Sequence, residues 1–225
     1  RMAPFVVNQH RNGLMFPERY YFQHRPQPLT TTEYLSGRWV CKPLNLYDAD
    51  MPIQIAGAFL FTTAERARDM RQKPVYILNH NTNQMLPRSM VETLDEIESF
   101  SDHLARKMWE GSGLTAQDVD IFNPYDGFAL FTQYFLEGFQ WRGVKRGEAH
   151  DFYAGDMSVH GPHPFSSSGG NLGNGRTRWW GYYDCIQQLR GQAGERQVRV
   201  KAETGLAGAY TPSNCDWLMF GTNPD

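Results

Sequence analysis

The sequence predicts an α/β layered architecture with a buried sheet, and three observations carry that prediction. Strand-like apolar runs alternate with capped helical segments through most of the chain, residues 53–78 read as one strand–helix–strand unit, and a glycine-rich loop at 166–176 delivers the chain to the start of a helix. No repeat with a period of tens of residues is visible.

Taken in order, residues 1–45 carry Pro4, Pro17, Pro26, Pro28 and Pro43 among many aromatics. Proline at that density removes ladder donors and forbids long helices, so an irregular, aromatic-packed excursion is expected. Within it a short helix is predicted over 32–40, because Thr30 and Glu33 have the spacing of a capping box. Arg1 stands where an initiator methionine is usual, and Met2 runs straight into an apolar segment, so the chain is expected to begin inside a fold.

Residues 53–61 are apolar with small residues at their centre, which predicts a buried strand approached closely by another backbone. Thr62 and Glu65 repeat the capping-box spacing and open a helix over 64–71, which Pro74 ends; 75–78 is the next strand. Residues 79–99 are polar and poorly periodic, so a linker is expected there, with a boundary that divides the chain into modules 1–95 and 96–225.

Leu104, Met108 and Trp109 mark one face of a helix from near Ser101 to Gly111. Residues 115–118 cap a single turn and 119–123 form a short strand. Phe128, Phe131 and Phe135 share the next helical face, with Gly138 as its terminator. A helix over 179–190 buries Tyr182, Ile186 and Leu189. Val198, Val200 and Ala202 alternate with Arg199 and Lys201 as a half-exposed strand, and 215–220 is the last strand.

Bulk properties exclude several functions. With 22 basic and 24 acidic residues in 225, a net charge of -2 leaves no electrostatic footprint for nucleic acid or an anionic membrane. No apolar run reaches the roughly 20 residues of a membrane span. Cys41, Cys185 and Cys215 are too far apart for a zinc or disulfide framework, which fits a reducing, cytoplasmic setting. His160 and His163 have a helical ligand spacing, but Gly161 and Pro162 break the helix, so no metal site is expected.

The densest chemical signal is the segment from Ser166 to Arg176. Its glycines permit close backbone approach, and unpaired amides at a helix start can bind an anion or a developing oxyanion; a tight crossover loop without a ligand is the alternative. No Gly-Lys-Ser/Thr follows, and the G-x-G-x-x-G order of a dinucleotide site is absent.

At this loop a family resemblance becomes specific. Ser168-Gly-Gly-Asn-Leu-Gly-Asn-Gly175, continued by Gln188-Leu-Arg-Gly-Gln-Ala-Gly-Glu-Arg-Gln-Val198, resembles the end of lipid-transfer (sterol-carrier) type thiolases. Thr115-Ala-Gln-Asp-Val-Asp-Ile-Phe-Asn-Pro-Tyr-Asp-Gly-Phe128 resembles that family's Asn-Glu-Ala-Phe or Tyr-Asp-x-Phe corner, and Lys42-Pro-Leu-Asn-Leu-Tyr-Asp48 resembles the close of its first module. The likeness covers nearly the whole chain and is strongest after residue 112.

The resemblance implies a thiolase-like layered fold: a mixed five-stranded sheet sandwiched by helices, with an incomplete first module and a complete second one. It implies an acyl-CoA acyltransferase whose nucleophilic cysteine lies upstream of Arg1, or a retro-aldolase of steroid acyl-CoA, or a non-catalytic subunit that holds lipid acyl-CoA. It places Tyr125 at the oxyanion-loop asparagine, Asp126 at a glutamate and Arg176 at the thiolase histidine; Arg178 replaces a second histidine and Gly205 a late cysteine. Arginine can donate hydrogen bonds there but cannot move protons. Ser168, Gly169, Gly170, Asn171, Gly173 and Gly175 would then bind substrate, with His163 lining the acyl pocket. Coenzyme A enters as substrate, with no permanently bound cofactor. A homodimer and a small DUF35 (OB-fold/zinc-ribbon) partner are also implied.

Overall fold

Pro4 sits in the first turn of helix α1 (Ala3–Gly13), where a missing N–H leaves no hydrogen bond unmade. The proline-rich start therefore opens with a buried helix and not with the irregular excursion expected from its composition. The structure, a computed structural model, describes residues 1–84 and 93–224. Two short helices follow, α2 (Tyr20–His24) and α3 (Thr31–Ser36); the second is capped by Thr30 as the sequence predicts but stops before Gly37. A small hairpin, β1 (Trp39–Cys41) with β2 (Leu44–Asn45), closes this region.

Residues 53–61 form no strand. They lie largely exposed, Leu60 at 80 % and Phe61 at 70 %, with Pro52 alone bridging to Arg176. Their apolar pattern asks for a ladder neighbour, and none stands beside them among the described residues. Helix α4 (Ala64–Arg68) is capped by Thr63, one residue later than expected.

The predicted linker is mostly structured: strand β3 (Tyr76–Gln84) runs into it from one side and helix α5 (Leu94–Ser112) from the other. A capping box between Thr93 and Glu96 starts α5 well before Ser101. The rest of the linker, 85–92, lies outside the described residues. Then come β4 (Ile121–Asn123), α6 (Ala129–Phe139), α7 (Ala149–Tyr153), α8 (Gly170–Asn174), α9 (Trp180–Arg190), β5 (Thr204–Thr211) and β6 (Asn214–Gly221). Gly138 does not end α6, which stops at Gln140 in the left-handed region. A Cβ on Gly138 would lie 2.6 Å from that of Ser101, so this glycine lets α6 approach α5.

The sheet has order β3-β6-β5-β4, antiparallel except for the parallel β4–β5 pair. Among the described residues this sheet has four strands where five were expected; beside β4 a parallel bridge, Phe122 to Phe165, stands in the next position. The pleat sorts the core into two clusters. Phe122, Leu206, Trp217 and Met219 face α1, α5 and α6, while Ile121, Ala207 and Phe220 face Cys185 and Leu189 of α9. The sheet is thus a middle layer with helices on both faces, and the α/β expectation holds.

The predicted strand at 198–202 is absent, because the Val198 N–H is taken by the Gln188 side chain (3.0 Å) instead of a ladder partner. The true strand β5 was missed for its small residues. They are needed there: a Cβ on Gly208 would stand 2.1 Å from the Trp217 ring.

Candidate functional site

The glycine loop is built into the fold from underneath. A Cβ on Gly13 would meet the Gly173 carbonyl oxygen at 2.0 Å, and one on Gly173 would meet the Gln9 oxygen at 2.1 Å, so α1 and α8 touch backbone to backbone. Gly169 and Gly170 carry φ of +73° and +55°, conformations that favour glycine. Its amides already have partners. Ser168 N donates to Asn123 Oδ1 (3.1 Å), Gly170 N to Ser168 Oγ (3.0 Å), and Gly173 N and Gly175 N to backbone carbonyls.

Asn171 N and Leu172 N donate to the Asp126 carboxylate at 2.6 and 3.1 Å, joined by Gln9 Nε2 at 2.7 Å. The expected cradle for a substrate oxyanion therefore holds the protein's own carboxylate. Ser168, Gly169, Gly170, Asn171, Gly173 and Gly175 are all buried, and in this structure they shape the site from behind. Asp126 is fully buried; desolvation pushes it up to about 7, helped by the charge of Asp50 and opposed by its three N–H donors.

A deeper set of bonds fixes the same loop. Asp184 accepts from Arg196 Nη1 (2.5 Å), Gln188 Nε2 (3.3 Å), Ser167 Oγ (2.5 Å) and Asn123 Nδ2 (3.2 Å), all of them buried. Asn123 passes this order on through its bond from Ser168 N.

In front of this loop stand the half-exposed Tyr125 and Arg176, and behind them a buried residue that sequence reasoning overlooked, Asp50. Residues 49–52 stitch two loops together. Ala49 bridges Phe128, Asp50 N donates to Gly127 O (3.0 Å), Arg176 N donates to Met51 O (2.8 Å), and Pro52 bridges Arg176. Asp50 Oδ1 then accepts from Arg176 Nε (2.8 Å) and Nη2 (2.6 Å), while its Oδ2 is buried with no partner among the described residues. Asp50 lies two residues past the Lys42 to Asp48 run, and that proximity was its only signal in the sequence.

The Tyr125 ring stacks between Phe131 and Tyr210, at centroid distances of 6.3 and 6.2 Å. Burial raises its phenol above the ordinary value, Asp50 and Asp126 raise it further, and Arg178 pulls the other way. Its hydroxyl folds back over Gly127, where a Cβ would stand 2.0 Å from it. Gly127→Ala must therefore push the ring out of its stack or break the pairing of 49–50 with 127–128. A loss of about 1–3 kcal/mol is expected, measured by denaturant unfolding. Unchanged stability would show that the hydroxyl has room to spare.

Tyr210 and Arg178 both adopt left-handed backbone, φ +69° and +68°, and the Arg178 guanidinium lies over the Tyr210 ring at 4.6 Å. They help to line a cavity of about 340 Å³ with His80, Trp179, Tyr182 and Trp217. Of the aromatic group at 179–183, Trp180 is core, whereas Trp179 and Tyr182 face this cavity. His163 is exposed, its ring 6.3 Å from that of Phe152.

Burial raises the Cys185 and Cys215 thiols, the latter to about 12, so both are poor nucleophiles. No metal-ligand group occurs among the described residues, and none of their helices is long and apolar enough to cross a membrane.

Comparison with known proteins agrees with this architecture. The chain is 33 % identical over 205 residues to the 17-hydroxy-3-oxo-4-pregnene-20-carboxyl-CoA lyase of Mycobacterium tuberculosis, covering 84 % of this chain and 51 % of the relative. It is 27 % identical over 212 residues to the steroid side-chain-cleaving aldolase of Thermomonospora curvata, covering 89 % and 53 %. It thus spans about half the length of the curated relatives it matches. Among solved structures, an Ltp2-ChsH2(DUF35) aldolase superposes with a TM-score of 0.79 at 22 % identity, over 98 % of this chain and 57 % of that one. The family model described as thiolase C-terminal domain-like matches residues 89–212, more than half of the sequence. The fold, the loop and this match together place the chain in the thiolase C-terminal domain-like family.

Proposed function

We propose that this chain is the carboxy-terminal part of an acyl-CoA carbon–carbon lyase that works by retro-aldol cleavage beside the thioester. Tyr125 carries the reading. It is a half-buried phenol whose proton is held more tightly than usual, set beside Asp50 and Arg176. Such a group is a proton donor at neutral pH. In a 3-hydroxyacyl thioester the hydroxyl loses its proton, the bond between the α and β carbons breaks, and its electron pair passes into a thioester enolate. Tyr125 then protonates the α carbon, while the uncommitted N–H groups of Arg176 donate to the enolate oxygen.

The lyase and aldolase relatives support this direction over thiolytic acyl transfer, which the family resemblance also allows and which needs a cysteine outside this chain. The cavity behind Tyr210 would take part of a large apolar acyl group. A DUF35 partner, a homodimeric assembly and a cytoplasmic setting belong to the same proposal.

The test uses the full chain together with a DUF35 protein and 17-hydroxy-3-oxo-4-pregnene-20-carboxyl-CoA as probe. Release of a 17-ketone and propanoyl-CoA is expected. Tyr125→Phe should lower kcat by about 10²- to 10⁴-fold with substrate affinity kept, the range of general acid catalysis. Full turnover in that variant would remove Tyr125 from the chemistry.

A further inference from the structure

The retro-aldol reading leaves open which group accepts the hydroxyl proton, and this inference rests on that reading. Arg176 has no lone pair to offer. Both oxygens of Asp126 are engaged, Oδ1 by Asn171 N and Oδ2 by Gln9 Nε2 and Leu172 N. Tyr125 keeps its own proton tightly. His163 is exposed and packs toward Phe152.

Asp50 differs from all of these. Its side chain is 1 % exposed, Oδ1 is held by two donors of Arg176, and Oδ2 is buried without a partner among the described residues. A buried carboxylate oxygen left unpaired is expensive, so the position calls for a donor that arrives from outside. Its backbone is clamped on one side to Gly127, next to the Tyr125 corner, and on the other through Met51 to Arg176. Asp50 also acts electrostatically on both Tyr125 and Asp126, which places it among them.

We propose that Asp50 is the proton acceptor of this site: Oδ2 receives the hydrogen of a substrate hydroxyl β to the thioester while Oδ1 keeps Arg176 in place. The step balances. The O–H electron pair becomes the second bond of the new ketone, the pair of the broken carbon–carbon bond passes into the enolate, and Tyr125 delivers a proton to the α carbon. Asp50 is left protonated and Tyr125 as phenolate, and exchange with solvent restores both.

The experiment compares two thioesters on the full chain, 17-hydroxy-3-oxo-4-pregnene-20-carboxyl-CoA and its analogue without the 17-hydroxyl. The hydroxylated thioester is expected to bind at least roughly ten-fold tighter, the size of a hydrogen bond to a charged group. In Asp50→Asn the amide oxygen can still accept from Arg176, but an NH₂ replaces Oδ2 and cannot accept a proton. That variant should bind both thioesters alike and lose turnover by about 10²-fold or more.

If Asp50 only positions Arg176, the hydroxyl preference survives in Asp50→Asn and the proposal falls, with the retro-aldol reading intact. If the wild-type chain binds neither thioester, the reading falls first. A crystal structure of the wild-type complex needs no variant. A 17-hydroxyl within hydrogen-bonding reach of Asp50 Oδ2 is the expected result, and a hydroxyl placed elsewhere overturns the proposal.

Discussion

Asp184→Ala is expected to lower stability by about 3–5 kcal/mol, the cost of stranding one member of a buried ion pair. Arg196 is left with no replacement counter-charge among the described residues; its side chain is only 7 % exposed and its guanidinium lies on the Phe16 ring at 3.4 Å. Ser167 Oγ and Asn123 Nδ2 lose their acceptor at the same time. Asp184→Asn keeps an acceptor for both but removes the charge that Arg196 faces, so it should cost nearly as much. Removing both members, Asp184→Ala with Arg196→Met, should cost less than Asp184→Ala alone, because the stranded charge goes too. Denaturant unfolding decides this; a single-variant loss below about 1 kcal/mol would mean that the pair is not desolvated as its burial implies. The consequence reaches the site through Asn123, whose Oδ1 holds Ser168 N and with it the entry to the glycine loop.

The layered fold was legible in the sequence because its helices announce themselves locally. Thr30, the 115–118 turn and the face formed by Phe131 and Phe135 need only neighbours a few residues away. What failed depended on distant partners. The small residues of β5 look like a poor strand until Trp217 is known to lie across Gly208, and 53–61 looks like a good strand until it is seen to have no ladder neighbour among the described residues. Of the residues that the sequence singles out at the site, the structure sets Tyr125 and Arg176 around Asp50. The loop amides read as ligand donors in the sequence; in this structure Asn171 N and Leu172 N donate to Asp126, and the amides of Gly169, Gly170, Gly173 and Gly175 donate to neighbouring oxygens of the same loop. Gln9 and Asp50 were missed for the same reason: both belong to the first 52 residues, and their roles arise only when that stretch folds against residues more than 100 positions away.

Asp126 should also make stability depend on pH in an unusual direction. Most native carboxylates are held below their ordinary value and stabilise as pH rises. Asp126 is raised, from 3.8 to about 7, with desolvation as the leading cause. Below pH 3.8 the folded and unfolded chains both carry its proton, and the stability this group contributes is complete. As pH climbs toward 7 the unfolded chain gives the proton up first while the folded chain retains it, so stability falls until the folded group has ionised as well. At 1.36 kcal/mol per pH unit the whole change is roughly 4 kcal/mol. Asp126→Asn removes this titration, and its amide nitrogen, set against either Asn171 N or the pair Leu172 N and Gln9 Nε2, adds a pH-independent penalty. The slope is therefore the informative quantity. Between about pH 4 and 7 the wild type should lose stability relative to Asp126→Asn, as followed by denaturant unfolding at each pH. A wild type that gains on the variant across that range would show that Gln9, Asn171 and Leu172 together outweigh burial and hold Asp126 ionised. Asp126 would then be a fixed anion facing Asp50, with no proton to release near neutral pH.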